Sequence, residues 1–189
     1  MKTGLLLVDI QNDYFPGGKM ELQGMTEAAL KARELLGFFR KLQLPTYHIQ
    51  HMAVREGAPF FIPRTPGVEL HESIRPLPGE TVIQKHFPNS FRETGLLESL
   101  QGAGVEEVVI CGAMSHMCID AITRAAADYG FPCLVVHDAC ATRELAFQGT
   151  VIPAAQVHGA FMAALSPLYA RVLSLEEFIQ VLELRGHHN

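Results

Sequence analysis

Short, mostly apolar runs recur along this chain with little polar alternation inside them: residues 5–8, 46–49, 81–83, 108–111, 134–136 and 171–173. Strands that lack a polar face are buried on both sides, which predicts a mainly parallel sheet covered by helices. Between the runs the apolar positions return with helical spacing, over residues 26–42, 96–101, 119–129 and 153–165, and again from Leu175. Gly130 is a natural stop for the third of these helices. The alternation predicts one α/β domain over residues 1–189, with a doubly wound six-stranded sheet and helices on both faces.

Residues 52–79 break this rhythm with several prolines and glycines, the pair Phe60-Phe61 and few periodic positions. A long excursion in a compact domain is commonly functional, so the expectations are a substrate lid or a plain surface insertion.

Composition narrows the function. With 48% hydrophobic and 19% charged residues and a net charge of -5, the chain has no basic footprint for nucleic acid and no Lys/Arg run for an anionic membrane. Asp9 interrupts the first apolar run before it could act as a signal core, and no stretch reaches membrane-spanning length. The expectation is a cytoplasmic protein acting on a small molecule. Its four cysteines are then reduced thiols, and none of their spacings is a CxxC pair. Gly102-Ala103-Gly104 precedes the strand at 108–111, whereas a dinucleotide fingerprint must follow one, so these glycines read as a turn.

Doubly wound sheets bind ligands beyond the C-terminal ends of their strands. Asp9 closes the first strand, Lys85 follows the third and Cys118 follows the fourth. In Cys111-Gly112-Ala113-Met114-Ser115-His116-Met117-Cys118 a strand runs through small residues into a helix that opens near Cys118. A helix N-terminus favours thiolate and offers amide donors to an oxyanion, which makes Cys118 the candidate nucleophile. Cys111 and Cys133 lie in or beside apolar strands and read as inert core thiols, while Cys140 is ambiguous.

Asp9-Ile10-Gln11-Asn12-Asp13-Tyr14-Phe15, Gln84-Lys85-His86-Phe87-Pro88-Asn89-Ser90-Phe91 and the Cys118 motif together resemble the isochorismatase-like cysteine hydrolases, as does the Asp138-Ala139 that follows the fifth strand. The resemblance implies a catalytic triad of Asp9, Lys85 and Cys118, a non-proline cis peptide at Ala113-Met114, and an oxyanion hole formed by the N–H groups of Met114 and Cys118. It implies cleavage of a C–N bond in a small amide or acyl substrate through a thioester, with no cofactor and no obligatory metal, and it implies a homo-oligomer. Ser115 stands where the family commonly has Thr. Gln11, Phe15, Phe87, Phe91, Ser115 and His116 are expected to contact substrate, with Tyr14 and Phe60 as further candidates for an apolar pocket.

Two other readings stay open. Relatives that act as nicotinamidases hold a metal near the second strand, where this chain has His48, Gln50, His51 and His71 but no Asp-x-His. A non-catalytic protein in which Cys118 senses oxidants would draw on the same lowered thiol pKa.

Overall fold

The computed structural model describes residues 1–186. Its elements are β1 (Thr3–Val8), α1 (Met25–Lys41), β2 (Thr46–His51), β3 (Thr81–Lys85), α2 (Leu96–Gly102), β4 (Glu107–Ala113), α3 (Asp120–Asp128), β5 (Cys133–Ala141), β6 (Leu145–Phe147), β7 (Thr150–Ile152), α4 (Ala154–Leu165), β8 (Arg171–Leu173) and α5 (Leu175–Gly186). Six strands form one sheet in the order β3-β2-β1-β4-β5-β8, and every pairing in it is parallel. The predicted doubly wound α/β fold is the observed one.

The apolar runs explain the layout. Every residue of the central strands β1 and β4 is buried, whereas the edge strand β3 alternates between partly buried and exposed positions. A strand flanked by two neighbours and covered on both faces has no solvent side for polar residues. Helix α1 buries Met25, Ala28, Ala29, Ala32, Leu35, Leu36 and Phe39, one stripe at helical spacing. Phe39 stacks on Phe178 of α5 at 6.3 Å, so these two helices share a layer.

This order turns back on itself between β1 and β4. From β1 the chain steps outward through β2 to β3, then returns to β4 and steps the other way. Adjacent strands that leave in opposite directions open a crevice at their C-terminal ends, where such folds bind ligands. Asp9 follows directly on β1, and the segment leading to Cys118 follows on β4.

Two local features depart from the sequence expectation. The helix read over 119–129 is α3, but a π-helical turn over Ser115–Ile119 precedes it. Cys118 therefore sits inside the π turn, in which the Ile119 N–H donates to the Met114 carbonyl at 3.2 Å, and not at the start of a regular α-helix. The antiparallel β6–β7 hairpin was not expected, because three-residue strands are too short to show a period. Its turn places Gln148 and Gly149 at φ 49° and 80°, the conformation of a tight hairpin turn that glycine usually signals from its second position.

The excursion over 52–79 is largely pinned to the chain that leaves β1. The Asp13 carboxylate, itself buried, accepts the Phe61 N–H at 2.7 Å and the Lys19 N–H at 3.2 Å. Asn12 donates to the Pro66 carbonyl, and the His71 N–H donates to the Ile10 carbonyl. A buried carboxylate and several buried amides would lose their partners if this region lifted, so these contacts oppose a lid that spans all of 52–79. The exposed stretch near residues 54–57 is the part without such anchors among the described residues. None of the described helices is long and apolar enough to cross a membrane.

Candidate active site

Strand ends bring the three sequence candidates together. The Lys85 ammonium lies 2.8 Å from Asp9 Oδ2, and both side chains are wholly buried. Lysine Nζ also donates to the carbonyls of Phe87 and Pro88 at 3.2 Å each, which fixes the head group on three sides. Asp9 holds a left-handed backbone conformation at φ 53°, a region that Asp tolerates better than most residues. Its N–H donates to Ile49 and its carbonyl accepts from Gln11, so the chain turns sharply at the carboxylate.

Cys118 completes the group. Potential ligand atoms of Asp9, His51 and Cys118 all lie within 4.8 Å of one another, and Cys118 is 4% exposed. Gly112 makes the approach of β4 to β1 possible. It sits at φ 124°, and a Cβ there would overlap the Val8 carbonyl. The register of β4 against β5 shifts at this point, between Ile110 and Gly112. The Ala113-Met114 peptide bond is cis, as the family resemblance implies.

Electrostatics at the site differ from a simple helix-terminus thiolate. Burial pushes the Cys118 thiol above its ordinary value and the Asp9 charge pushes it further, with Lys85 pulling only partly the other way. Lys85 is lowered by burial but raised on balance by Asp9 and Cys118, so it stays an ammonium. Burial and the Asp9 charge thus favour the neutral thiol, beside the Lys85 ammonium. A buried, protonated sulfur is a poor oxidant sensor, which weighs against the redox-sensing reading.

Burial also raises the remaining thiols. Cys133 and Cys140 are each pushed up to about 12, Cys111 is raised as well, and all of them are free. Cys111 and Cys133 lie buried in the core as expected, and so does Cys140.

The expected substrate contacts fall into two groups. Phe87 helps to line an apolar cavity of about 310 Å³, together with His51, Ala53, Pro59, Phe60 and Phe61. This cavity abuts the triad through His51. Neither cavity is lined by a triad residue, but a larger cleft of about 640 Å³, around Asn12, Glu69, His71 and Arg75, lacks His51 as well. Size alone would favour it, but reacting atoms must reach the sulfur, so the smaller cavity is the candidate substrate pocket.

Other candidates are engaged elsewhere. Gln11 is buried with its amide donating to His51 and Val68 carbonyls and accepting from the His51 N–H, which makes it a strap beneath the site. Phe15 stacks on His71 at 3.6 Å, and Phe91 packs on Tyr129 at 5.1 Å. Ser115 Oγ pairs with His158 Nδ1 at 2.8 Å and donates to the Ala141 carbonyl at 3.4 Å, while His116 Nδ1 pairs with Thr142 Oγ1 at 2.6 Å. Tyr14 packs on Phe60 and Phe61. His158, on α4, carried no sequence signal, because nothing in the spacing of an apolar helix marks a histidine that reaches the nucleophile turn.

The histidines near β2 do not assemble a metal site of the kind the second reading requires. His48 Nε2 pairs with Glu80 at 2.9 Å, His71 Nδ1 accepts the Ser73 N–H, and neither belongs to a cluster of potential ligands among the described residues. Among the described residues the one cluster of potential ligands is Asp9, His51 and Cys118. The Lys85 ammonium against the same carboxylate opposes a cation there, so the donor set does not fit a resident metal.

Comparison with known proteins agrees with this geometry. The model of the Isochorismatase domain matches residues 3–177. The chain belongs to the isochorismatase family. Its relatives include the isochorismatase-family protein YddQ of Bacillus subtilis, 53% identical over 95% of this chain and the whole of that protein. A streptothricin hydrolase of Streptomyces noursei is 36% identical over 75% of this chain and 50% of its own length. The crystal structure described as an isochorismatase hydrolase from Oleispira antarctica superposes with a TM-score of 0.91 at 50% identity, covering 95% of this chain and 96% of that one. Isochorismatase-family members are hydrolases, some of which act on amides, and the likeness extends over nearly the whole domain described here.

Proposed function

We propose that this isochorismatase-family protein hydrolyses a C–N bond of a small amide or related acyl compound through a thioester on Cys118. The reading is carried by the meeting of Asp9, Lys85 and Cys118 in one buried group at the crevice between β1 and β4. A maleamate amidohydrolase of Pseudomonas putida among its relatives, 28% identical over 75% of this chain, supports an amide substrate.

The neutral thiol needs a base when it attacks, and Asp9 is the one in reach. As sulfur adds to the substrate carbonyl, its proton passes to Asp9. The Lys85 ammonium stabilises the sulfur's charge as that proton leaves, before the new C–S bond passes the charge to the carbonyl oxygen. The carbonyl oxygen, now an oxyanion, is received by the backbone N–H groups of Met114 and Cys118. Collapse of the tetrahedral species expels the amine, which takes the proton from Asp9 and leaves a thioester. Water then attacks that thioester with Asp9 again as base, the acid departs, and the thiol is restored.

A cavity of about 310 Å³ walled by Phe60, Phe61 and Phe87 suits a small acyl group with an apolar or planar body. Ammonia release measured across small primary amides, carbamoyl compounds and lactams tests the reading. Turnover abolished by Cys118→Ala and by Asp9→Asn supports it. Turnover that survives Cys118→Ala contradicts it.

A further inference from the structure

The triad leaves one polar side chain at its border unexplained. His51 closes β2, and its backbone is fixed by Gln11, whose side-chain oxygen accepts the His51 N–H at 2.8 Å while its side-chain nitrogen donates to the His51 carbonyl at 2.9 Å. Such a double strap holds the residue in place from behind. The ring forms part of the wall of the apolar cavity, is 20% exposed, and packs 5.9 Å from Phe61. Nδ1 lies 3.9 Å from Asp9 Oδ2, and a ring nitrogen lies within 4.8 Å of Cys118 Sγ.

We infer that His51 is a further catalytic residue, which together with Asp9 holds the water that hydrolyses the thioester on Cys118. This rests on the proposed thioester chemistry and deepens it. The distances carry the assignment. A gap of 3.9 Å between Nδ1 and Oδ2 is too long for a direct hydrogen bond and suits two polar atoms that share one water. Apart from His51, the Asp9 carboxylate faces Lys85 and the Cys118 thiol, and in the acyl-enzyme the thiol proton is gone, so the carboxylate has lone pairs to offer that water.

Charge agrees with the role. The groups facing His51 are Asp9, Lys85 and His86; burial lowers its pKa most, Lys85 and His86 lower it further, and Asp9 only partly opposes them. A neutral imidazole can accept from or donate to water, whereas an imidazolium would compete with Lys85 for the carboxylate. In the step itself, water oxygen bonds to the acyl carbon while its proton passes to Asp9. The C–S bond then breaks, and the sulfur recovers the proton as thiol. His51 orients the water and ends the cycle unchanged.

Loss of this role slows deacylation and spares acylation, a split that a structural defect would not produce. The probe is p-nitrophenyl acetate, whose nitrophenolate reports acylation. The enzyme forms are the wild type, His51→Ala, His51→Asn and His51→Gln. The expectation for His51→Ala is a burst of nitrophenolate equal to the enzyme present, steady turnover lowered about a hundredfold, and an acetyl group found by mass on Cys118. His51→Asn or His51→Gln, which keep a polar atom near the water, should recover part of the steady rate. Burst and steady rate falling together in all three variants, or no change in either, overturns the inference. A wild type that p-nitrophenyl acetate never acetylates, and that releases ammonia from no amide, removes the thioester reading and this inference with it.

Discussion

The ammonium of Lys85 and the carboxylate of Asp9 meet at 2.8 Å with both side chains at 0% exposure, deep in the sheet crevice. A pair so buried costs much desolvation, and its charges are tolerated because each is the other's counterion.

Removing one member should therefore hurt more than removing both. Lys85→Met is expected to lower stability by about 3–5 kcal/mol, because it strands the Asp9 charge. The double variant Asp9→Asn/Lys85→Met should lose less than the two single changes added together. Urea unfolding of the four forms measures the coupling, and simple additivity would argue against a mutually dependent pair.

Thiol reactivity follows the same charges with opposite signs for the two partners. Asp9 raises the Cys118 pKa and Lys85 lowers it. At neutral pH, alkylation of Cys118 by iodoacetamide is expected to be slow in the wild type, faster by about tenfold or more in Asp9→Asn, and slower still in Lys85→Met. Peptide mass mapping over time reads the order, and the reverse order would contradict the resting neutral thiol.

Much of this site was legible before any coordinates, and the parts that were not share a cause. Asp9, Lys85 and Cys118 each end or follow a run of apolar residues, and strand ends in a parallel sheet face one edge, so their order put them at that edge and the family resemblance implied that they meet. The sequence could not show that sulfur sits in a π turn instead of at a helix start, since the Ser115–Ile119 turn differs from an α-turn by one hydrogen-bond register. Nor could it show that burial and the Asp9 charge raise the thiol. Gln11 and Phe15 lie in the motif that carries Asp9, yet their side chains turn to His51 and His71, which a motif cannot reveal. The excursion over 52–79 looked free because its anchors, Asp13 and Asn12, are far from it in sequence.

Asp13 should control how firmly that wall of the pocket is held. Asp13→Ala leaves the buried Phe61 N–H without its acceptor, at a cost of about 1–3 kcal/mol that falls first on the loop. Limited proteolysis is expected to cut within residues 53–61 faster in the variant than in the wild type. Equal cleavage in the two would mean the wall is held by other contacts.

Acid should weaken the fold at a second polar cluster. Burial alone would raise the Glu80 carboxyl, but hydrogen bonds from Arg40, the Leu77 N–H and His48 outweigh it and hold it at about 2, while burial keeps the His48 pKa low despite its hydrogen bond to Glu80. A carboxyl whose pKa is lower folded than unfolded stabilises above its unfolded value near 4.5, and that contribution is lost as pH falls from there toward about 2. A histidine with a lowered folded pKa also costs stability on acidification, starting below its ordinary value of 6.5. Thermal unfolding followed from pH 7 to 3 should therefore fall more steeply in the wild type than in Glu80→Gln. Parallel curves would contradict the assignment.

The central claim is a thioester on one sulfur, and acid-quenched mass spectrometry tests it most directly. Protein mixed with p-nitrophenyl acetate, quenched within the first turnovers and digested, should carry the acyl group on the peptide that holds Cys118, with none on Cys118→Ala. An acyl group found on Cys111, Cys133 or Cys140 instead, or amide hydrolysis that proceeds in Cys118→Ala, would contradict it.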